Sequence, residues 1–219
     1  STTKDGKLLP ASLRILSKDF DPAILATRVQ TLEFDFDDTV DVRYKPVNAE
    51  NIVVSHSSIW FHGLKVNAVE ATYATVNLEE SQVGSLRYQE SDGVLSDVTI
   101  SLDFDMSYST LTIKRNVVFQ NNDSTIISAA YTDSMLHFKD GRFFSESPTN
   151  FYLSGLIIQF DEASGPFWIN HSPSSMFSVQ GEISPSIDME CVMLIQANTL
   201  NAFDLAEDVN VILDENEVA

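Results

Sequence analysis

Apolar and polar residues alternate along most of the chain, which is the pattern of β-strands with one buried face. The clearest stretch is 98–108, where Val, Ile, Leu, Phe, Met and Tyr occupy every second position. Successive side chains of a strand point to opposite faces, so this period of two predicts a dry side and a wet side. The same pattern predicts strands over 31–36, 40–45, 51–55, 58–69, 71–79, 85–89, 110–119, 124–130, 134–138, 142–146, 150–160, 166–170, 176–183 and 186–196.

Turn signals separate these segments, and helical periodicity is scarce, so we predict an all-β fold. An antiparallel β-sandwich or a jelly-roll-like arrangement, with one or two short helices, is the expected architecture. Asp21 and Pro22 predict the cap and first turn of a helix that ends near Gln30. A second short helix is predicted for 199–207. We treat 1–219 as a single domain, with 1–45 as a helix-plus-hairpin extension in the alternative division.

Two β-hairpins are predicted from side-chain register. Within 31–45, a loop at 37–39 places Phe34 opposite Val42 and gathers the apolar residues on one face. The second hairpin is predicted to turn at Asp140-Gly141, a pair that is typical of type I′ turns. Both hairpins require antiparallel neighbours.

The first predicted hairpin gathers four acidic residues, Asp35, Asp37, Asp38 and Asp41. Its register places Asp35 opposite Asp41, and opposed carboxylates repel unless a cation or a base lies between them. Oxygen-rich clusters suit Ca²⁺ or Mg²⁺. We therefore predict a candidate Ca²⁺ site at these four residues. The alternative is an exposed acidic turn that tolerates the repulsion in water without a metal.

Residues 34–40 read Phe-Asp-Phe-Asp-Asp-Thr-Val. The segment resembles motif one of the haloacid dehalogenase superfamily. The resemblance implies Asp35 as nucleophile, Asp37 as acid/base and a bridging Mg²⁺. It is confined to these residues, and that family alternates strands with helices around a parallel sheet, whereas the segments that follow here predict strands. A phosphatase is therefore the less favoured hypothesis.

The chain carries 32 acidic against 13 basic residues, a net charge of -19. Such a surface repels phosphate backbones and anionic lipids, so neither nucleic acid nor a membrane is an expected partner. The single cysteine excludes an intramolecular disulfide framework. No signal sequence is predicted, and no apolar run approaches the roughly 20 residues that span a bilayer.

The sequence contains neither a Gly-x-Ser-x-Gly motif nor a glycine-rich phosphate loop. We therefore expect a non-enzymatic structural or assembly protein, most consistent with a virion component (capsid, decoration, tail or baseplate) assembled in the cytoplasm. Its expected partners are further copies of itself and other structural proteins. The alternative is a β-sandwich module that binds carbohydrate or another surface ligand, with or without Ca²⁺. Candidate aromatic residues for a sugar platform are Trp60, Tyr73, Tyr88, Tyr152 and Trp168.

Overall fold

The computed structural model shows a parallel β-solenoid of about six turns. The structure describes residues 12–25, 28–45, 47–122, 126–147, 149–154 and 156–160, and then the strands of 167–213. Up to residue 160 these are β1 (Ser12–Ile15), β2 (Val29–Phe34), β3 (Asp38–Tyr44), β4 (Ala49–Ser55), β5 (Ser57–His62), β6 (Lys65–Thr72), β7 (Thr75–Gln89), β8 (Asp92–Ser107), β9 (Thr110–Phe119), β10 (Ile127–Thr132), β11 (Met135–Ser145), β12 (Thr149–Ser154) and β13 (Ile157–Phe160). The later strands are β14 (Phe167–Asn170), β15 (Met176–Gln180), β16 (Ser184–Ile187), β17 (Cys191–Gln196), β18 (Thr199–Leu200) and β19 (Val209–Leu213).

Each turn of the solenoid, here called a coil, stacks on the next through parallel strand pairs. One ladder joins β1, β2, β4, β6 and the second half of β7, and it continues into β8, β10 and β12. We call this side the first face. The second face is the ladder of β3, β5 and the first half of β7, followed by the starts of β8, β9 and β11. Residues such as Lys65, Gln82 and Thr99 form the shorter third face.

The predicted antiparallel sandwich and jelly roll are wrong, because the strand pairs of the described residues are parallel. The predicted all-β class is confirmed, and buried and exposed side chains alternate along the described strands. Alternation records only which side chains point inward, and a solenoid coil has an inside and an outside just as a sandwich sheet does. Strand direction depends on the corners between strands, which the period of two does not encode.

Both predicted hairpins are also wrong. Val29–Phe34 pairs with Ala49–Ser55 on the first face, whereas Asp38–Tyr44 pairs with Ser57–His62 on the second. The chain turns a corner at Asp37 and does not reverse. At Asp140-Gly141 the strand continues from Met135 to Ser145, with a register shift against its parallel neighbour β9.

The predicted helix at Asp21 is shorter than expected. Asp21 does cap it, because its carboxylate accepts from the Ala23 N–H at 2.9 Å, but only a 3₁₀ turn over Pro22–Ile24 follows. The chain enters a strand at Val29, because the next coil requires it there. Of the segment 199–207, residues 199–200 form β18 and the rest lies outside the described residues. Within the described residues, no helix is long and apolar enough to cross a membrane.

Inward side chains of successive coils stack in columns and form the core. On the first face these columns are Leu32, Ile52, Val69, Leu86, Phe104 and Ala129, and beside them Phe34, Val54, Ala71, Tyr88, Met106 and Tyr131. All of these residues are at most 2% exposed. Each column buries its side chains against the coil before and the coil after. The apolar area removed from water, at about 25 cal/mol per Å², is therefore shared by neighbouring coils.

At one position of the core a glycine leaves space that a large neighbouring side chain fills. Gly93 occupies an inward position of the second face, between Val76 and Leu111. A Cβ at Gly93 would lie 2.1 Å from the Val76 carbonyl oxygen and 3.1 Å from the Tyr88 ring. The Tyr88 side chain reaches across from the first face, and its hydroxyl donates to that same Val76 oxygen at 2.7 Å. Full burial raises the pKa of Tyr88 far above its usual value.

The corner between the first and second faces repeats one backbone device in successive coils. A left-handed residue turns the chain at Asp37, His56, Tyr73, Glu90, Tyr108 and Asp133, with φ between 43° and 51°. None of these residues is glycine, so each corner costs roughly 1–2 kcal/mol of backbone strain. The strain persists because neighbouring coils hold the corner in place.

A buried serine follows the turn residue at 57, 91, 109 and 134. The Ser91 hydroxyl donates to the Gln89 carbonyl at 2.7 Å and accepts from the Ala74 N–H of the preceding coil at 3.1 Å. Ser109 and Ser134 repeat this pair of bonds one and two coils later. The hydroxyls therefore satisfy corner backbone groups that strand pairing leaves over.

We predict that Ser91→Ala lowers the free energy of unfolding by about 1–3 kcal/mol, because the Ala74 N–H and the Gln89 carbonyl both lose a buried partner. Denaturant unfolding measures this loss. Ser85→Ala is the control, because the Ser85 hydroxyl bonds Asp103 on the outward side, where water can replace it. An equal loss in both variants would contradict the role of the corner serines.

Two of the buried tyrosines, Tyr88 and Tyr131, give an opposed pair of predictions. Among the described residues the Tyr131 hydroxyl has no hydrogen-bond partner, whereas that of Tyr88 bonds Val76. Tyr131→Phe therefore removes an unsatisfied group and should leave stability unchanged or higher. Tyr88→Phe should cost about 1–2 kcal/mol, since it removes a buried hydrogen bond to the Val76 carbonyl. Thermal unfolding of both variants tests this order, and the reverse order would refute it.

Candidate binding groove

A polar groove runs along the stack where the third face meets the first. It encloses about 600 Å³. Its lining combines amides, hydroxyls, two cations and a few apolar side chains from several coils: Arg28, Lys65, Val66, Asn67, Gln82, Val83, Gly84, Thr99, Ser101, Leu102, Gln120, Asn121 and Asn122.

The groove lies where the strict alternation of inward and outward side chains is interrupted. Val66 and Val69 both point inward although three positions separate them, and Val83 and Leu86 repeat this one coil later. Two consecutive residues therefore face outward at this corner. Among the described residues, this corner has no non-glycine residue with positive φ, whereas the first corner has them and so does the corner between the second and third faces, at Glu80, Asp97 and Arg115.

One column of outward side chains forms a wall of the groove. Lys65 pairs in register with Gln82, and Gln82 pairs with Thr99. Neighbouring strands lie about 4.8 Å apart, so the three side chains project from one line at that spacing. The wall presents a cation, an amide and a hydroxyl in succession.

Gly84 forms part of the floor, and a side chain does not fit there. A Cβ at Gly84 would lie 2.4 Å from the Asn67 carbonyl oxygen and 3.2 Å from the Leu102 side chain. Real Cβ atoms do not approach a backbone oxygen this closely. The glycine thus lets the coil of Asn67 pack tightly and keeps the groove open at this point.

The charge of the groove is opposite to that of the chain. Among the residues that the structure describes, its lining includes Arg28 and Lys65 but no carboxylate. Neither cation makes an ion pair with a described residue. Arg14, Arg87 and Arg115 by contrast contact carboxylates of neighbouring coils.

The far end of the groove is held by amide hydrogen bonds. The Gln120 amide donates to the Glu146 carboxylate at 2.6 Å, and the Asn121 N–H donates to the Ser147 hydroxyl at 2.7 Å. These bonds connect the end of the third face to the following coil. They fix the segment that carries Asn122, so this end is preorganised.

The groove offers side chains and little free backbone. In a parallel stack the strand N–H and C=O groups point along the axis to the neighbouring coils. A ligand therefore meets amide groups, which both donate and accept, together with hydroxyls and ammonium or guanidinium donors. This set suits a ligand with many hydroxyl groups.

Asp35, the residue on which two sequence hypotheses depend, lies in an ionic cluster. Its carboxylate bonds the Arg14 guanidinium and lies 3.3 Å from His56 Nδ1. The hydrogen bond from Arg14 holds the pKa of Asp35 below its usual value. Asp35 therefore does not face Asp41 across a hairpin, and a basic partner occupies the position predicted for a cation.

The four predicted Ca²⁺ ligands are distributed over a corner. Asp37 is an exposed corner residue with φ 46°, while Asp38 and Asp41 belong to β3 on the second face, and their side chains lie outside the described part. The described residues contain no group of three or more His, Cys, Asp or Glu that could hold a metal. The Ca²⁺ site therefore stays a prediction.

The predicted aromatic residues do not form one platform. Tyr88 is core, Tyr73 is an exposed corner residue stacked on His56, and Tyr152 is exposed on the first face. Trp60 lies on the second face with the Arg43 guanidinium 4.9 Å from its ring centre. The side chain of Trp168 lies outside the described residues.

A second, shallower recess lies beside the first corner and includes His56, Tyr73, Glu90 and Asp92. The Tyr73 hydroxyl donates to the Glu90 carboxylate at 3.0 Å, which raises the pKa of Tyr73. Tyr73 thus bonds the next coil at Glu90 and stacks on the previous one at His56. The Tyr73 side chain therefore stabilises the corner.

The groove was not among the sequence predictions. Its wall residues at 65, 82 and 99 recur every 17 positions, and the same separation joins Ala74 to Ser91. Such a period identifies solenoid columns when it is sought deliberately. Comparisons of the chain with protein-family models, with curated protein sequences and with solved structures find no match.

Proposed function

We propose that this protein is a non-catalytic binding protein whose solenoid presents an extended groove to a carbohydrate polymer. The observation that carries the proposal is the wall of Lys65, Gln82 and Thr99, which offers polar side chains at regular steps along the axis. A polymer with repeated hydroxyl groups can bond several coils at once. Many weak, regularly spaced bonds then add along one rigid surface.

A rigid site favours this function, because little conformational entropy is lost on binding. The groove residues lie on paired strands or beside them. Gly84 packs against Asn67, and Gln120 is bonded to Glu146. These features support the carbohydrate alternative from the sequence, at a site different from the aromatic platform expected there.

We predict that Thr99→Trp weakens binding to a polysaccharide by more than about tenfold, since the indole fills the groove. Isothermal titration calorimetry against soluble plant and bacterial polysaccharides measures the affinity. Thr112→Trp is the matched control, because Thr112 is equally half-buried and outward-facing but lies on the second face. Tryptophan suits strand positions, so both variants should fold.

Equal binding by both variants would place the ligand elsewhere and refute the groove as the site. Absence of binding to every polysaccharide would refute the function itself. Melting temperatures close to wild type would show that neither result reflects unfolding.

Assembly with further copies, as in a virion component, is the second candidate. Among the described strands, one end of the first-face ladder is β1, and Leu16 and Ile24, which follow β1 in the chain, are 65% and 69% exposed. A strand at the end of a stack and adjacent apolar side chains suit docking of a second copy. This would join solenoids at their ends.

We predict that the chain self-associates with rising concentration and that Leu16→Asp with Ile24→Asp weakens this association at least about tenfold. Light scattering coupled to size exclusion measures the mass. Ile126→Asp is the control, because Ile126 is 56% exposed but precedes β10 in the middle of the stack. A wild-type monomer at all concentrations would exclude the assembly function.

A further inference from the structure

The charge of the groove identifies a narrower class of ligand. Acidic residues outnumber basic ones 32 to 13 in the chain, yet the described residues of the groove lining include two cations and no carboxylate. Resting on the proposed function, we propose that the ligand is an acidic polysaccharide whose sugar carboxylates bind Arg28 and Lys65.

Both cations are available to a ligand. Both side chains are exposed, and neither is paired with a described carboxylate. Three arginines elsewhere in the fold are paired with carboxylates: Arg14 with Glu33 and Asp35, Arg87 with Asp105 at 3.2 Å and Arg115 with Asp97 at 2.9 Å. An acidic chain that leaves two cations uncommitted in its groove has a local positive site.

The positions of the cations indicate how a chain of sugars would lie. Arg28 precedes β2 and Lys65 begins β6, with β4 between them in the ladder. Two steps of about 4.8 Å place their backbones roughly 10 Å apart along the axis. Carboxylates would therefore bind at this end, while Gln82, Thr99 and Asn122 would bond hydroxyl groups.

Other anionic polymers fit less well. Nucleic acids and highly sulfated glycans carry dense negative charge, and the surface outside the groove would repel it. An extended peptide gains affinity mainly by adding a strand to a free sheet edge, and the groove walls are faces of stacked coils, not edges. A uronate polymer combines modest charge density with many hydroxyls, and it matches both parts of the groove.

The test compares polygalacturonate with its fully methyl-esterified form, which keeps the sugar backbone and its free hydroxyl groups but replaces each carboxylate with a neutral methyl ester. We expect wild-type protein to bind polygalacturonate at least about tenfold more tightly, and Arg28→Gln with Lys65→Gln to remove this difference. Binding of the ester should persist in the double variant. Lys114→Gln is the control, because Lys114 is an exposed cation on the second face.

The outcomes separate the inference from the proposed function. Equal affinity for both polymers, unchanged in the double variant, would overturn the acidic ligand and leave a neutral carbohydrate groove. Tighter binding of dextran sulfate or of polyglutamate, lost in the double variant, would overturn it in favour of a sulfated glycan or an acidic peptide. If no polysaccharide binds, the groove function itself is refuted.

Discussion

The closure of each coil at its first corner is the constraint on which the rest of the structure depends. A residue with positive φ turns the chain there, and where Ser91, Ser109 or Ser134 follows it, the serine hydroxyl bonds both its own coil and the preceding one. The Gln89 carbonyl accepts the Tyr73 N–H of the preceding coil at 3.2 Å and the Ser91 hydroxyl at 2.7 Å. Corner geometry and stacking are therefore the same set of bonds, and neither is stable without the other. Because the corners repeat in register, the inward columns and the outward groove wall stay aligned.

The strands could be predicted from the sequence because burial alternates in the same way in any half-buried sheet. Strand direction could not, because the corner residues share a backbone conformation but not a side-chain type. Histidine, tyrosine, glutamate and aspartate occupy the positive-φ positions, where glycine or asparagine is the usual signal. Insertions also hide the period, since Ser91 and Ser109 are 18 residues apart while Ser109 and Ser134 are 25 apart.

The candidate sites predicted from the sequence also differ from the groove that the structure shows, again because local patterns do not reveal how coils stack. Asp35 and Asp37 stand close together in sequence and attracted two chemical hypotheses, yet a corner separates them and Arg14 from the preceding coil binds Asp35. Lys65, Gln82 and Thr99 are far apart in sequence and adjacent in space. Local motifs describe a single strand or turn, whereas a solenoid surface is built across coils. The coil length must be known before residues that are distant in sequence can be assigned to the same surface.

Stacking also explains why the groove stands out on so acidic a protein. Identical charges in register would lie about 4.8 Å apart and repel. The first face avoids this by alternating sign, as Glu70, Arg87 and Asp105 do in one column. The groove wall uses a different solution, because Lys65 is followed by the neutral Gln82 and Thr99. A column of alternating charges satisfies itself, whereas one cation followed by neutral polar groups leaves its charge for an external partner. The column of Lys65, Gln82 and Thr99 is thus a part of the described surface whose side chains the fold leaves free to bond a ligand.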